Sequence, residues 1–161
     1  MLSIIYRNKP NWTVCKDNGI SKNALIKLIQ NHERIIMLGH GTPFGLINSA
    51  RNGYLIDDSY ADLLRTKECV SIWCYSDQYF RRNNIKGFHT GMIISEVAEE
   101  AYVLGYIPLQ VNEIYSNMIK FSKCVEECID LSPNEMKQHI LNTYVGDDPV
   151  TTFNRKNIIV L

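Results

Sequence analysis

Two short apolar runs, each closed by a reactive residue, constrain the fold of this chain more than any other feature. The first covers residues 34–39 and is followed by His40, and the second covers residues 69–74 and ends at Cys74. Short continuous apolar runs with β-branched side chains are typical of buried parallel strands. Strands of an open parallel sheet point the same way, so both residues are expected at its carboxyl edge, where such folds place their sites.

Patterns of strand and helix alternate along the rest of the chain, which predicts a layered α/β domain. A length of 161 residues with no Pro/Gly/Ser-rich linker predicts a single domain over 1–161. A first strand at Leu2–Tyr6 and the strand at 34–39 would flank a helix, as in a right-handed βαβ crossover. A hairpin is predicted around Asn52-Gly53, and a last strand at 157–161. Helices are predicted at about 22–30, 59–64, 89–104, 111–129 and 133–144.

Composition and charge narrow the range of partners and cofactors. Lys+Arg and Asp+Glu both number 17, so no basic excess indicates a nucleic-acid partner. No stretch approaches about 18 uncharged apolar residues, which predicts no membrane partner. Five cysteines without an export signal predict reduced thiols and a cytoplasmic location. No Cys or His spacing resembles a zinc site, so neither a metal nor a cofactor is expected. The sequence leaves the oligomeric state open.

His40 and Cys74 together supply the parts of a nucleophilic site. A cysteine attacks as its thiolate, and a neighbouring imidazole can take the proton. If the two strands are neighbours, about 5 Å separates their backbones, so the side chains can meet. The backbone N–H of Gly41 is a candidate donor to a developing oxyanion, because glycine allows close approach, and the N–H of Cys74 is a second candidate.

The order Leu38-Gly39-His40-Gly41, hairpin, short helix and a strand ending in Cys74 resembles the caspase, gingipain and separase clan of cysteine peptidases, most closely its bacterial CHAT-type relatives. The resemblance implies a three-layer caspase-haemoglobinase-like domain, with a mostly parallel central sheet and helices on both faces. It also implies His40 as general base, Cys74 as nucleophile, Gly41 as oxyanion glycine, and a protein or peptide substrate. Trp73 departs from the small residue that the clan usually has before its cysteine.

Four other residues are candidates for the substrate pocket. Tyr75, Ser76 and Asp77 follow Cys74 directly, and Asp77 is a candidate to orient a histidine or to bind a basic side chain. His89 stands at a predicted helix start, where it either caps that helix or reaches the same edge as Cys74.

A structural interpretation of the same residues stays open. Cys74 also fits a buried core thiol, since free cysteine is among the most buried residue types. His40 also fits a histidine that fixes a tight turn. The functional alternative to a cysteine endopeptidase is therefore a non-catalytic α/β binding module that holds a small ligand or a partner protein at the same edge. A nucleotide-binding domain ranks last, because neither common glycine-rich phosphate loop is present.

Overall fold

The computed structural model is an α/β fold that describes residues 1–16, 19–48, 53–105 and 111–161. Its strands are, in chain order, β1 (Arg34–Leu38), β2 (Gly41–Thr42), β3 (Gly45–Ile47), β4 (Tyr54–Ile56), β5 (Glu68–Ile72), β6 (Gly87–Thr90) and β7 (Ile158–Val160). Its α-helices are α1 (Lys22–Gln30), α2 (Ala61–Leu64), α3 (Ser76–Arg82), α4 (Val97–Leu104), α5 (Val111–Cys128), α6 (Pro133–Thr143) and α7 (Pro149–Lys156). Two compact units result: Met1–Trp12 with Met92–Ile158, and Thr13–Gly91 with Ile159–Leu161.

The main sheet has the strand order β1-β5-β6-β7 and is mostly parallel, as the sequence predicts. β1 pairs with β5, and β5 with β6, both in parallel. At the last pair, Gly87 and Leu161 exchange two backbone hydrogen bonds of 3.2 and 3.1 Å, which is the antiparallel pattern. The central strand β5 is buried from Cys69 to Ile72, which explains why its sequence is a continuous apolar run and not an alternating one.

A second, antiparallel sheet follows β1 and has the order β2-β3-β4. β3 and β4 form the hairpin that the sequence predicts, with a register shift between Leu46 and Ile47. Residues 49–52 of the connection, among them the predicted turn residue Asn52, lie outside the described residues. Leu46 and Ile56 are buried in one hydrophobic cluster with Trp73, Tyr79 and Phe80. The inner face of the small sheet therefore belongs to the core of its unit.

Helices α4 to α7 make up most of the other unit. The buried residues of α5 include Ile114, Met118 and Phe121, which recur at about one helical turn, as the sequence predicts. The predicted capping box at Ser132 and Glu135 opens α6. The side chain of Asn154 accepts from the backbone N–H of Ile94 and donates to its carbonyl, at 2.8 and 3.1 Å. Among the described residues, no helix is both long enough and apolar enough to cross a bilayer.

Two predicted elements are wrong. Leu2–Ile5 is a 3-10 helix that packs against α5, and not a strand, so no βαβ crossover begins there. The helix predicted at 89–104 begins only at Val97, because His89 lies in the buried strand β6. Both errors come from short apolar segments, whose periodicity does not separate strand from helix.

Candidate functional site

The two strands that precede His40 and Cys74 are direct neighbours in the main sheet. Their parallel register pairs Leu38 with Ile72, and the N–H of Gly39 donates to the carbonyl of Ile72 at 3.1 Å. His40 and Cys74 each stand two residues after this last pair. In a parallel pair both chains leave the sheet at the same edge, so the two residues emerge at one carboxyl edge.

His40 lies at the junction between the two sheets of its unit. Gly39 leaves β1 with a φ of +154°, a value that favours glycine, and His40 follows it with an exposed side chain. The carbonyl of His40 accepts from the N–H of Ile47 at 2.9 Å, which is the first bond between β3 and the segment that enters β2. The imidazole is therefore carried on backbone that is held by both sheets.

Cys74 lies in a tight turn between β5 and α3. Its side chain is half-buried, whereas the preceding Trp73 is 2% exposed. Tyr75 has the left-handed backbone angle φ 65°, which is uncommon for a residue other than glycine, and its N–H donates to the carbonyl of Gly91 at 3.1 Å. The N–H of Ser76 donates to the carbonyl of Trp73 at 3.2 Å. These bonds on either side of Cys74 fix the turn that presents its thiol.

Gly41 and Trp73 pack directly on each other. A Cβ added at Gly41 would lie 2.1 Å from Cδ1 of the indole, so no larger residue fits there without a shift. The indole Nε1 donates to the carbonyl of Thr42 at 3.3 Å. Trp73 thus occupies the space that a side chain at position 41 would need. The oxyanion role expected of Gly41 stays a prediction, and the structure adds a packing reason for glycine.

The side chains predicted to line the pocket differ in accessibility. The Ser76 hydroxyl is buried and bonds Thr90 twice, accepting from its N–H at 2.9 Å and donating to its carbonyl at 2.8 Å. Asp77 is mostly buried, and its carboxylate lies 3.8 Å from the Nε of Arg81. Tyr75 is half-buried. Ser76 therefore ties α3 to β6, and Asp77 and Tyr75 keep partial access to solvent.

His89 lies in the interior of the main sheet. It is fully buried, shares a 2.8 Å hydrogen bond with Ser71 through Nδ1, and stacks on Phe80 at a ring distance of 4.1 Å. Its Nε2 makes no hydrogen bond to any described residue. Burial, and to a lesser extent the charge of Arg81, lowers the pKa of His89 to about 3, so this imidazole is neutral at physiological pH.

Thiol accessibility separates Cys74 from most of the other cysteines. None of the five is in a disulfide; Cys69, Cys124 and Cys128 are buried and Cys15 is exposed. Burial, and then the nearby Glu68 carboxylate, raises the pKa of the Cys69 thiol to about 12. Cys74 is consequently the thiol that combines solvent access with a position at the sheet edge.

Arg82 is a residue that sequence reasoning missed. It ends α3, the helix after Cys74, and donates to the carbonyl of Pro43 at 2.6 Å and to Asp58 at 2.7 Å. Its guanidinium also lies 5.3 Å from the ring centroid of Phe44. A side-chain bond from Asn83, and then Arg82, lowers the pKa of Asp58. Arg82 thus fastens the β2–β3 turn to the helix after Cys74, a contact over 39 residues that no local pattern signals.

Comparison with known proteins gives no matching family model, no similar curated protein and no similar solved structure. Across the described part of the chain, no group of three or more His, Cys, Asp or Glu side chains is arranged to hold a metal ion. The chemistry of the site is therefore argued from its own residues.

Proposed function

We propose that the chain is a cysteine hydrolase that cleaves peptide bonds through an acyl-enzyme, with Cys74 as nucleophile and His40 as general base. One observation carries the proposal. β1 and β5 pair in parallel, and His40 and Cys74 each follow the end of one of these adjacent strands. A cysteine nucleophile needs a base near its thiol, and an imidazole at the same sheet edge can act as that base.

The proposed cycle balances with water as its one co-reactant. His40 takes the thiol proton, the Cys74 sulfur forms a bond to the substrate carbonyl carbon, and the N–H groups of Gly41 and Cys74 stabilise the oxyanion. The C–N bond then breaks, and the imidazolium returns its proton to the departing amine. Water, deprotonated by His40, attacks the thioester; the thiolate leaves and recovers the proton. The acid product is released and the dyad is restored.

The resemblance to the caspase clan extends the proposal to fold and location. The mostly parallel sheet and the small antiparallel sheet after His40 agree with that resemblance. On this basis we propose the finer arrangement, three layers with helices on both faces of the central sheet. Five cysteines outside any disulfide fit a reducing cytoplasm, where a thiol nucleophile stays active.

A second candidate function, a non-catalytic binding module at the same edge, is favoured by two observations. The bulky Trp73 stands where the clan usually has a small residue. Ser76 and His89, both expected in the pocket, are buried with hydrogen bonds inside the unit. With Ser76 and His89 buried, the edge has fewer polar side chains for acyl transfer than the sequence predicts, which favours a binding role.

The test is the pH dependence of Cys74 alkylation by iodoacetamide, followed by peptide mass spectrometry in a Cys15→Ala background. An active dyad lowers the midpoint of alkylation well below the roughly 8.5 of a free thiol. His40→Ala should slow alkylation at about pH 6.5 by at least about tenfold, because the thiolate loses its partner. His139→Ala, which removes a histidine of the other unit, is the matched control and should change nothing.

Peptide cleavage completes the test. A mixed peptide library should be cut by the wild type and by Cys69→Ala, and left intact by Cys74→Ala. If the alkylation profile is the same with and without His40 and its midpoint is near 8.5 or above, the dyad is wrong and the binding module replaces it.

A further inference from the structure

The outer face of the small antiparallel sheet is apolar, although it faces solvent. Ile47 and Tyr54 are each 40% exposed, and Phe44 in the β2–β3 turn is 61% exposed. An antiparallel sheet with one face on the core normally carries polar residues on its other face. Here the inner face already buries Leu46 and Ile56, so folding of the unit does not account for a second apolar face. Ile47 and Tyr54 are paired on neighbouring strands, and contiguous exposed apolar surface is a feature of binding sites.

This face is continuous with the candidate general base. The carbonyl of His40 accepts from the N–H of Ile47, and Ile47 is paired with Tyr54 on the next strand. Residues paired across antiparallel strands carry their side chains on one face, with Cβ atoms about 5 Å apart. His40, Ile47 and Tyr54 therefore form one exposed row across three segments of chain, and we call this row the outer face.

The outer face is held in place by contacts on both sides. The Tyr54 hydroxyl bonds the Thr42 hydroxyl at 2.9 Å, which joins β4 to β2. Thr42 also accepts from the N–H of Phe44 at 3.0 Å, and Arg82 holds the carbonyl of Pro43. A surface fixed before binding loses little conformational entropy when a ligand covers it.

We propose that the outer face binds an apolar side chain, aromatic or branched, next to the bond that is cleaved; this rests on the proposed function. When a substrate carbonyl lies within reach of His40, the side chains next to it are one or two residues away along the substrate. An extended peptide rises about 3.3 Å per residue. Ile47 is bonded to the carbonyl of His40 and Tyr54 is paired with Ile47, and their side chains offer apolar surface with one hydroxyl. A charged side chain that lies on Ile47 and Tyr54 loses water without gaining an ionic partner from either of them.

The test uses three peptidyl chloromethyl ketones, acetyl-Ala-Phe, acetyl-Ala-Asp and acetyl-Ala-Lys, on the Cys15→Ala protein. The Cys74 thiolate displaces chloride in each, and each rate is divided by the rate of that probe with free cysteine. The Phe probe should react about tenfold or more faster than the Asp and Lys probes, the discrimination typical of an apolar contact. Ile47→Ser and Tyr54→Ser should each reduce this preference to about twofold or less, whereas Tyr54→Phe should retain it.

Val14→Ser removes an apolar side chain of similar exposure elsewhere in the same unit, and it should keep the full preference. Far-UV circular dichroism and thermal unfolding check that each variant is folded. If iodoacetamide alkylation depends on His40 but the three probes react equally, or the Phe preference survives Ile47→Ser and Tyr54→Ser, this inference alone is overturned. If alkylation does not depend on His40, the proposed function is overturned and this inference with it.

Discussion

The interior of the main sheet and its carboxyl edge contain the same two reactive residue types in opposite surroundings. In the interior, burial raises the pKa of the Cys69 thiol to about 12 and lowers that of the His89 imidazole to about 3, so both stay neutral. At the edge, Cys74 is half-buried and His40 is exposed. The comparison teaches that residue type alone does not make a site, because burial inside the sheet keeps a thiol and an imidazole neutral.

The first and largest expected effect concerns Trp73, which links the interior to the edge. Its indole packs on Gly41 and has ring-centroid distances of 5.9 Å to Tyr79 and 5.5 Å to Phe80. Trp73→Ala should lower the free energy of unfolding by roughly 3–5 kcal/mol, because it leaves a large cavity. Urea unfolding followed by circular dichroism measures this, with Trp73→Phe expected to lose less. A loss under about 1 kcal/mol would mean that the edge does not need this support.

The second prediction is the acid sensitivity that the interior imidazole confers. His89 has a folded-state pKa of about 3, below the 6.5 of the unfolded chain, so the unfolded state binds its proton first as pH falls. Stability from this group is complete above about pH 6.5 and is lost progressively towards about pH 3, by about 2 to 3 kcal/mol between about pH 7 and about pH 4.5. Urea unfolding across this range measures the loss.

The control for the acid effect removes the buried imidazole. His89→Gln removes the titrating group and should flatten the dependence of stability on pH, even if its stability near pH 7 is lower. Equal slopes for wild type and His89→Gln would show that His89 is not the group that titrates.

The third and smallest expected effect is that of Arg82, which fastens the edge. Arg82→Ala removes its bonds to Pro43 and Asp58 and its contact with Phe44. The side chain is partly exposed, so we expect the free energy of unfolding to fall by only about 1 kcal/mol. Arg81→Ala, on the same helix with a 3.8 Å ion pair, is the matched control and should lie within about 0.5 kcal/mol of wild type. Equal losses in thermal or urea unfolding would contradict the anchoring role.

Local patterns in the sequence predicted the elements that carry their own signals. The apolar runs of β1 and β5, the hairpin and the helix α5 follow from hydrophobic period, and α1 and α6 also from cap residues such as Ser21. The same runs predicted the parallel pairing that has His40 and Cys74 at one edge. Asp148-Pro149, a cap with proline at the first helical position, also signals α7, and it was missed.

The remaining features depend on contacts between distant residues. His89 is polar and stands before an apolar segment, and its place in β6 depends on pairing with Ser71 of β5 and on stacking on Phe80. Ser76 is directly after Cys74 in sequence, yet its hydroxyl bonds Thr90 of another strand. The exposed row on the small sheet depends on a register shift between Leu46 and Ile47. No spacing within the sequence encodes such pairings.

The close fit of Gly41 against Trp73 has an evolutionary consequence. Because the ring takes up the space where a β-carbon at position 41 would stand, the two positions cannot drift separately. In homologous chains a larger residue at 41 should occur together with a smaller one at 73, and a tryptophan at 73 should occur with glycine at 41. Such paired variation in homologous sequences would indicate that the segment after β1 has kept its contact with the segment after β5.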